Sequence, residues 1–445
     1  MRFAIATLGC KVNQYDSAII TARLAALGME RTEFDRPAEV YIVNTCTITH
    51  RADAESLRLA RRARKLNPAA RVIMTGCLAQ ANPQILAKAH EVDAVVGLGR
   101  AGDLERAAAS GDGERVMVSN LRKQVAPIEL GVAALDGHTR AFLKVQEGCD
   151  QFCSFCIVPM ARGRSRSIAP RQIFETLDGL AAGGFKEVVI SGVHLGGYGR
   201  DLDPPVELEQ LLEMIAERCP IERVRLSSLD PEELSDRIIA IVAQSPRFCP
   251  HLHLPLQAGE DLTLARMRRR YTADYFRERV ERVLAAMPDA AIGTDLIVGF
   301  PGETAQQFEQ YLKFIEKLPL AYFHVFPYST RAGTTAAKFG GRVAASEIKR
   351  RAALMRELGE HKRHHFALRF VGKRLRVLIE EAMPEGRLQG YSRNYISVLT
   401  SGNSELTNCE VEVEGAFAQR AQLVGQLIHA ATAAAERGSV PITAR

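Results

Sequence analysis

The chain has 445 residues, with 58 Lys and Arg against 52 Asp and Glu, a formal net charge of +6. At ~100–200 residues per domain it is too long for one compact core, and 47% hydrophobic with 25% charged residues excludes a mainly disordered chain. No run reaches the roughly 18 apolar residues of a membrane helix, and MRFAIATLGC enters strand-like alternation without the charged head of a signal peptide. The expected compartment is therefore the cytoplasm, with no membrane partner. The first hundred residues alternate strand and helix. RFAIATLG, AEVYIVNT and ARVIMTG are short Ile- and Val-rich runs, followed by helical patterns over 17–27, 52–66 and 83–89. That repetition predicts parallel strands with crossover helices. Residues 111–139 read as a connector, with turn chemistry in GDG and LDGH.

A second strand series then begins: AFLKVQE, EVVISG, RVRLSS, HLHLPL, AIGTDLIVGF and AYFHVFPY. Helical patterns over 171–182, 207–218, 232–244 and 273–286 separate them. Six strand–helix units are fewer than the eight of a full barrel, so an incomplete parallel (β/α)6 barrel is expected, with its site at the strand carboxyl ends. A basic helical stretch covers 345–366. From Gly372 onward RLRVLIEEA, RLQGYSRNYISVLT, CEVEVEGA and AQLVGQLIHA, with turns at PEG and GNS, predict a small all-β barrel ahead of an Ala-rich tail. The fold class is thus α/β with an all-β C-terminal unit, divided at about 1–120, 138–368 and 370–435. Basic residues gather at Arg58, Arg61, Arg62, Arg64 and Lys65, at Arg162, Arg164 and Arg166, and over 266–270 and 361–365. Such clusters are solvated faces or polyanion contacts.

Nine cysteines without an export signal argue for metal or catalytic work rather than disulfides. Cys10, Cys46 and Cys77 each follow a predicted strand, in loops that a parallel sheet gathers on its carboxyl edge. Cys149, Cys153 and Cys156 form a C-x3-C-x2-C run at the end of the first barrel strand. Three thiolates on one loop can hold three irons of a 4Fe-4S cluster and leave the fourth open. Structural zinc usually takes four protein ligands, and no fourth cysteine lies nearby. Cys219, Cys249 and Cys409 have no cysteine neighbours and read as loop or packing residues.

The C-x3-C-x2-C run, with Phe155 before its last cysteine, resembles the radical S-adenosylmethionine signature. Thr7-Leu-Gly-Cys10-Lys-Val-Asn-Gln-Tyr-Asp-Ser17, Asn44-Thr-Cys46 and Gly76-Cys77 narrow the resemblance to the methylthiotransferase family over essentially the whole chain. Further family-like segments are Ser227-Ser-Leu-Asp-Pro231, His253-Leu-Pro-Leu-Gln257, Asp295-Leu-Ile-Val-Gly-Phe-Pro-Gly302 and Phe326-Pro-Tyr-Ser329. The resemblance implies an N-terminal unit holding an auxiliary 4Fe-4S cluster through Cys10, Cys46 and Cys77. It implies a radical barrel holding a second cluster through Cys149, Cys153 and Cys156, and a C-terminal TRAM domain. It also implies S-adenosylmethionine as radical source and methyl donor. An electron-donor protein of flavodoxin or ferredoxin type is expected as partner, and the sulfur source is left open. The catalytic chemistry would lie in the clusters, with no further catalytic side chain assigned. Gly192, His194, Gly196 and Gly197 follow a strand and would contact S-adenosylmethionine, although the residues alone read equally as a strand-to-helix turn. Ser228, Asp230 and Asp295, also at strand ends, are further candidates; Asp230-Pro231 is equally a helix start. Arg162 and Arg164 would meet substrate phosphate or solvent.

The family divides by substrate. Cys10-Lys-Val-Asn-Gln-Tyr and Val193-His-Leu-Gly196 resemble the branch that methylthiolates C2 of N6-threonylcarbamoyladenosine at position 37 of tRNA. The alternatives are isopentenyladenosine in tRNA, an aspartate of a ribosomal protein or, in another class, a noncatalytic iron–sulfur RNA-binding protein or a zinc-stabilised scaffold. Gly390-Tyr-Ser-Arg-Asn394-Tyr395 matches a TRAM domain, for which Lys373, Arg374, Arg376, Tyr391 and Arg393 are the expected RNA contacts. Tyr395 reads equally as core.

Overall fold

The computed structural model describes residues 1–110, 114–123 and 139–430. Most of the expected connector, and the Ala-rich tail beyond residue 430, lie outside the described residues. The N-terminal unit is a parallel sheet of β1 (Arg2–Thr7), β2 (Glu30–Arg31), β3 (Val40–Thr45), β4 (Arg71–Gly76), β5 (Ala94–Val96) and β6 (Val116–Met117). Their order is β2-β1-β3-β4-β5-β6. Every residue of β3 is buried, as in a parallel strand covered on both faces. Tyr41 and Val43 join Val72, Met74 and Leu59 on one face, and Val40 and Ile42 join Ile73, Val96 and Leu104 on the other. The sequence reading found β1, β3 and β4. It missed the two- and three-residue strands, and β6 falls inside the expected connector.

The middle unit contains β7 (Arg140–Glu147), β8 (Arg166–Ser167), β9 (Glu187–Gly192), β10 (Arg223–Leu226), β11 (His251–His253), β12 (Ala291–Val298) and β13 (Tyr322–Pro327). It comprises sheets β10-β9-β7-β8 and β11-β12-β13, joined by bridges from Val224 to Phe248 and from Ser228 to His253. Six parallel strands therefore follow one another as the expected incomplete barrel. The short β8 pairs antiparallel with β7. Helices between the strands bury one stripe inward and are capped locally. Ser235 accepts from the Ile238 N–H, starting the helix Asp236–Gln244 later than residue 232, and Thr272 caps Ala273–Ala286.

The expected small β-barrel is present, built from β14 (Arg374–Met383), β15 (Arg387–Ser392), β16 (Ser397–Ser401), β17 (Glu410–Gln419) and β18 (Gln422–Ala430). The run read as one segment over 387–400 doubles back at 393–396. There Tyr395 adopts φ 66°, and the Ser392 hydroxyl donates to Asn394 Oδ1 at 2.6 Å. This turn meets the amino ends of the middle-unit strands. Ile379, Val398 and Val413 share a core with Ala291, Ala321 and Phe366.

Charges sealed into that contact tie the units together. Glu187 is fully buried between Arg223 and Arg225, at 2.8 and 2.9 Å. Arg223 also reaches Glu410 at 2.5 Å, and Arg225 donates to the Arg393 carbonyl at 3.0 Å. Burial pushes the Glu187 carboxyl up, but the Arg225 and Arg223 charges outweigh it and hold it down to about 2. Two residues expected on an RNA-facing surface also take part in this contact. Arg393 donates to the carbonyls of Pro246 and Arg247 at 2.5 and 3.0 Å. The Tyr391 ring stacks on Tyr395 at 5.1 Å, with the Arg140 guanidinium 4.9 Å from its centre. Replacing Glu187 by Gln would leave the buried Arg225 without a carboxylate and Arg223 with Glu410 alone. The expected loss is about 3 kcal/mol in denaturant unfolding, with the C-terminal barrel becoming the first site of limited proteolysis.

Candidate active site

The carboxyl edges of the two parallel units open into one cavity of about 1100 Å³, lined by Cys10, Cys46, Cys77, Cys149, Cys153 and Cys156. Cys46 directly follows β3, and Cys77 directly follows β4 as the first residue of the helix Cys77–Ala81. Gly76 has φ 90°, and a Cβ there would collide with the Asn44 side chain, so glycine is what allows the chain to turn Cys77 toward its partners. Cys10 caps the helix Lys11–Ala26, which begins well before the expected residue 17. Cys10, Cys46 and Cys77 are close enough to act on one another electrostatically, as are Cys149, Cys153 and Cys156.

The second loop is fastened at several points. The Cys149 N–H donates to the Gly163 carbonyl at 3.1 Å and Ser154 N–H to the Met267 carbonyl at 3.0 Å. The Ser154 hydroxyl donates to the Arg266 carbonyl at 2.7 Å. Gly148, at φ 76°, lies where any Cβ would strike the Arg164 carbonyl. Burial pushes the Cys77 thiol up to about 11 and the Cys149 and Cys156 thiols up to about 12. Such thiols ligate as thiolates only when a bound cation compensates the lost hydration. The donor set therefore suits a positively charged iron core on each triplet. Cys219, Cys249 and Cys409 do not line the cavity.

Of the other strand-end candidates, Gly192, His194, Ser228, Asp230 and Asp295 line the cavity. Gly196 and Gly197 do not. They form a short 3-10 turn in which Gly196 lies against the Glu233 side chain and Gly197 against the His194 ring, leaving no room for a Cβ. His194 Nε2 sits 2.7 Å from Glu233 and 3.9 Å from Asp230. Burial lowers its proton affinity, but the Glu233 hydrogen bond and the two carboxylate charges outweigh burial and raise it. Arg269 pairs with Asp230 at 2.8 Å, and His253 with Asp295 at 3.1 Å. Burial opposes ionisation of Asp295, and the His253 hydrogen bond and charge overcome it. Glu233, Arg269, His253 and Tyr322 were not among the expected site residues. The legible signal was polar side chains at alternate positions of HLH and at a strand start, inside a barrel that should be apolar.

Four charges, three of them buried and Asp16 partly so, close the seam between the units. Lys144 on β7 lies 2.7 Å from both Asp16 and Glu147, while Arg162 lies 2.8 Å from Asp16 and 2.5 Å from Glu147. Arg162 also donates to Asn13 Oδ1 at 2.5 Å, beside Cys77. It is thus a buried, fully paired cation on the cavity wall, whereas Arg164 is exposed. On the far side Arg331 donates to the Thr47 carbonyl at 3.1 Å and pairs with Asp53 at 2.7 Å. The segments that follow Cys10 and Cys46 are thereby anchored to the barrel.

Residues 2–97 match the uncharacterized protein family UPF0004, and residues 143–315 match the Radical SAM superfamily. In solved structures the fold resembles a radical S-adenosylmethionine methyltransferase, TsrM, from Kitasatospora setae. The TM-score is 0.54 at 15% identity, covering 73% of this chain and 74% of that one. A half-open parallel barrel with a three-thiol loop at its first strand end, carrying that superfamily match, defines a radical SAM protein. The chain is 36% identical to the threonylcarbamoyladenosine tRNA methylthiotransferase MtaB of Bacillus subtilis over 92% of its own length and 93% of that protein. It is 34% identical to the tRNA-2-methylthio-N(6)-dimethylallyladenosine synthase of Thermobifida fusca, over 86% of this chain and 78% of that one. The chain belongs to the radical SAM tRNA methylthiotransferase family.

The seam has a pH signature. Burial raises the Glu147 carboxyl, but the Lys144 and Arg162 charges outweigh it and hold it at about 2, below its ordinary 4.5. A carboxylate depressed on folding stabilises above its unfolded value and loses that contribution as pH falls through its folded one. Glu147→Gln should therefore cost about 3 kcal/mol above pH ~4.5. Its difference from wild type should shrink toward pH ~2, as seen in thermal midpoints measured across that range.

Proposed function

We propose that this protein methylthiolates C2 of N6-threonylcarbamoyladenosine at position 37 of tRNA, using two 4Fe-4S clusters and S-adenosylmethionine. The observation that carries the reading is the convergence of both thiol triplets on one cavity in a chain with methylthiotransferase relatives along most of its length. Cys149, Cys153 and Cys156 hold the radical cluster, and Cys10, Cys46 and Cys77 hold the auxiliary one. When bound, these groups and S-adenosylmethionine supply the radical that activates the C2–H bond, the sulfur and the methyl group.

The chain's own residues position and shield. Gly192, His194, Ser228, Asp230 and Asp295 surround S-adenosylmethionine, and Gly196 and Gly197 serve it indirectly by fixing the His194 turn. Gln151, within 3.2 Å of His194 Nε2, links the radical-cluster loop to that turn. The Asp16–Lys144–Glu147–Arg162 seam holds the two triplets facing each other, the close placement on which a reaction between bound groups depends. Lys373, Arg374 and Arg376, all about half-exposed or more, face tRNA, with Arg376 held beside Glu410. The N-terminal unit over about 1–120 serves the auxiliary cluster, 138–368 the radical chemistry and 370–435 the RNA. A flavodoxin- or ferredoxin-type protein supplies the electrons, and the work is done in the cytoplasm.

Among the described residues no helix is long and apolar enough to cross a membrane. The test is nucleoside mass spectrometry of tRNA from cells with and without the protein. Loss of 2-methylthio-N6-threonylcarbamoyladenosine, with its unmethylthiolated precursor accumulating, is expected; loss of the isopentenyl counterpart would move the chain to the sister branch. For the ligand sets, replacing either cysteine triplet by Ala should remove about half the iron. Only the Cys149/Cys153/Cys156 variant should lose S-adenosylmethionine cleavage. Full iron retention in either would remove that triplet from the cluster sites.

A further inference from the structure

The cavity is not neutral once its ion pairs are counted. Five Lys and Arg side chains line it: Lys11, Arg162, Arg269, Arg331 and Arg363. Three are matched, Arg162 by Asp16 and Glu147, Arg269 by Asp230 and Arg331 by Asp53. Its two lining carboxylates, Asp230 and Asp295, already have Arg269 and His253 as partners. Lys11 and Arg363 have no carboxylate within ion-pair distance and no hydrogen-bond acceptor among the described residues. Lys11 opens its helix directly after Cys10, with the Phe142 ring 5.8 Å from Nζ to its centre and the Arg140, Glu187 and Arg225 charges further off. Arg363, an exposed residue of the helix Ala345–Leu368, has its guanidinium 5.9 Å from the centre of the Tyr322 ring. Both charges are close enough to bear on the His324 imidazole, which lines the same space.

Two uncompensated cations beside aromatic rings, in a chamber whose other cations are all satisfied, form a receptor for an anion. The proposed substrate brings one. Threonylcarbamoyladenosine carries, beyond its N6 carbonyl, a threonine with a free carboxylate. Unmodified adenosine and isopentenyladenosine carry no charge there. We infer that Lys11 and Arg363 bind the N6-linked carboxylate of the substrate and so select the threonylcarbamoyl base. This rests on the function proposed above and adds to it the residues that read the substrate. A site built for a charged group rejects analogues that lack it far more strongly than an apolar pocket rejects an extra methylene.

The reconstituted holoprotein, without S-adenosylmethionine, is titrated with three fluorescent anticodon stem-loops. These carry threonylcarbamoyladenosine, its methyl ester or plain adenosine at position 37. Wild type should bind the first about tenfold tighter than the other two, as expected for one charge-assisted contact. Lys11→Gln and Arg363→Met should bind all three alike, near the wild-type value for plain adenosine. If the variants weaken all three RNAs equally, the cations meet backbone phosphate and the inference is overturned; variants that keep the tenfold preference also overturn it. The ester arm uses wild type alone, so it stands even if Lys11→Gln, next to Cys10, fails to fold or to load iron. Equal binding of acid and ester by wild type sinks the receptor. A methylthiolation assay then separates the two readings. Modification of the threonylcarbamoyl RNA keeps the proposed function while removing the receptor, and modification of isopentenyl RNA alone removes both.

Discussion

Two parallel sheets present their carboxyl edges to each other, and four closely paired charges keep them so. In a single α/β unit that edge faces solvent or a mobile loop. Here the edge of one unit is the lid of the other. Asp16, Lys144, Glu147 and Arg162 form two cations against two anions with no net charge, each cation touching both carboxylates. Such a quartet contributes less to stability than well-packed apolar groups of the same volume. Its geometry, however, tolerates only one relative placement of the helix Lys11–Ala26 and strand β7. Cys10 and Cys149 sit at the ends of these two elements, so the register of the ion pairs is also the register of the thiols.

The same solution recurs at the opposite end of the barrel. Arg140, Glu187, Arg223 and Arg225 lie at the amino ends of the strands, facing inward, where a closed eight-stranded barrel would have layers of aliphatic side chains. An open barrel leaves polar groups there in need of partners, and β14 and β17 of the small barrel deliver them as Glu380 and Glu410. The middle unit is thus closed at both ends by neighbours, through charges at each seam and a shared apolar core at the lower one.

Much of this was legible in the sequence, and the reasons differ by level. Strands with long Ile and Val runs declared themselves, and cysteines directly behind them could be placed on one edge without knowing any distance. What stayed hidden were elements whose sequence carries no period. β2, β5, β6 and β8 are two or three residues long and exist because a neighbouring strand offers hydrogen-bonding groups. The first turn of the helix Lys11–Ala26 reads as polar loop because Lys11, Asn13 and Asp16 turn toward another unit rather than solvent. Arg393 and Tyr391 illustrate the same limit. A basic residue and an aromatic on a small β-barrel suggest RNA, yet identical chemistry serves an interface within the chain, and only the docking partner distinguishes the two. Gly196 and Gly197 were expected to give backbone access to a ligand, and instead they give a histidine and a glutamate room to meet.

Tyr391, Tyr395, Ile396 and Ser397 belong to the small barrel yet line the chamber in which the cysteines face each other. The third unit is therefore part of the reaction vessel's floor as well as an attachment on its outside. A chain ending at Gly372 would keep all six cavity-lining cysteines, losing only Cys409, but would open that chamber to bulk water from below. Reactive species formed inside would then have solvent as a competing partner. Any chain built on these two units without the third would have to seal the same opening by other means, at the amino ends of its barrel strands.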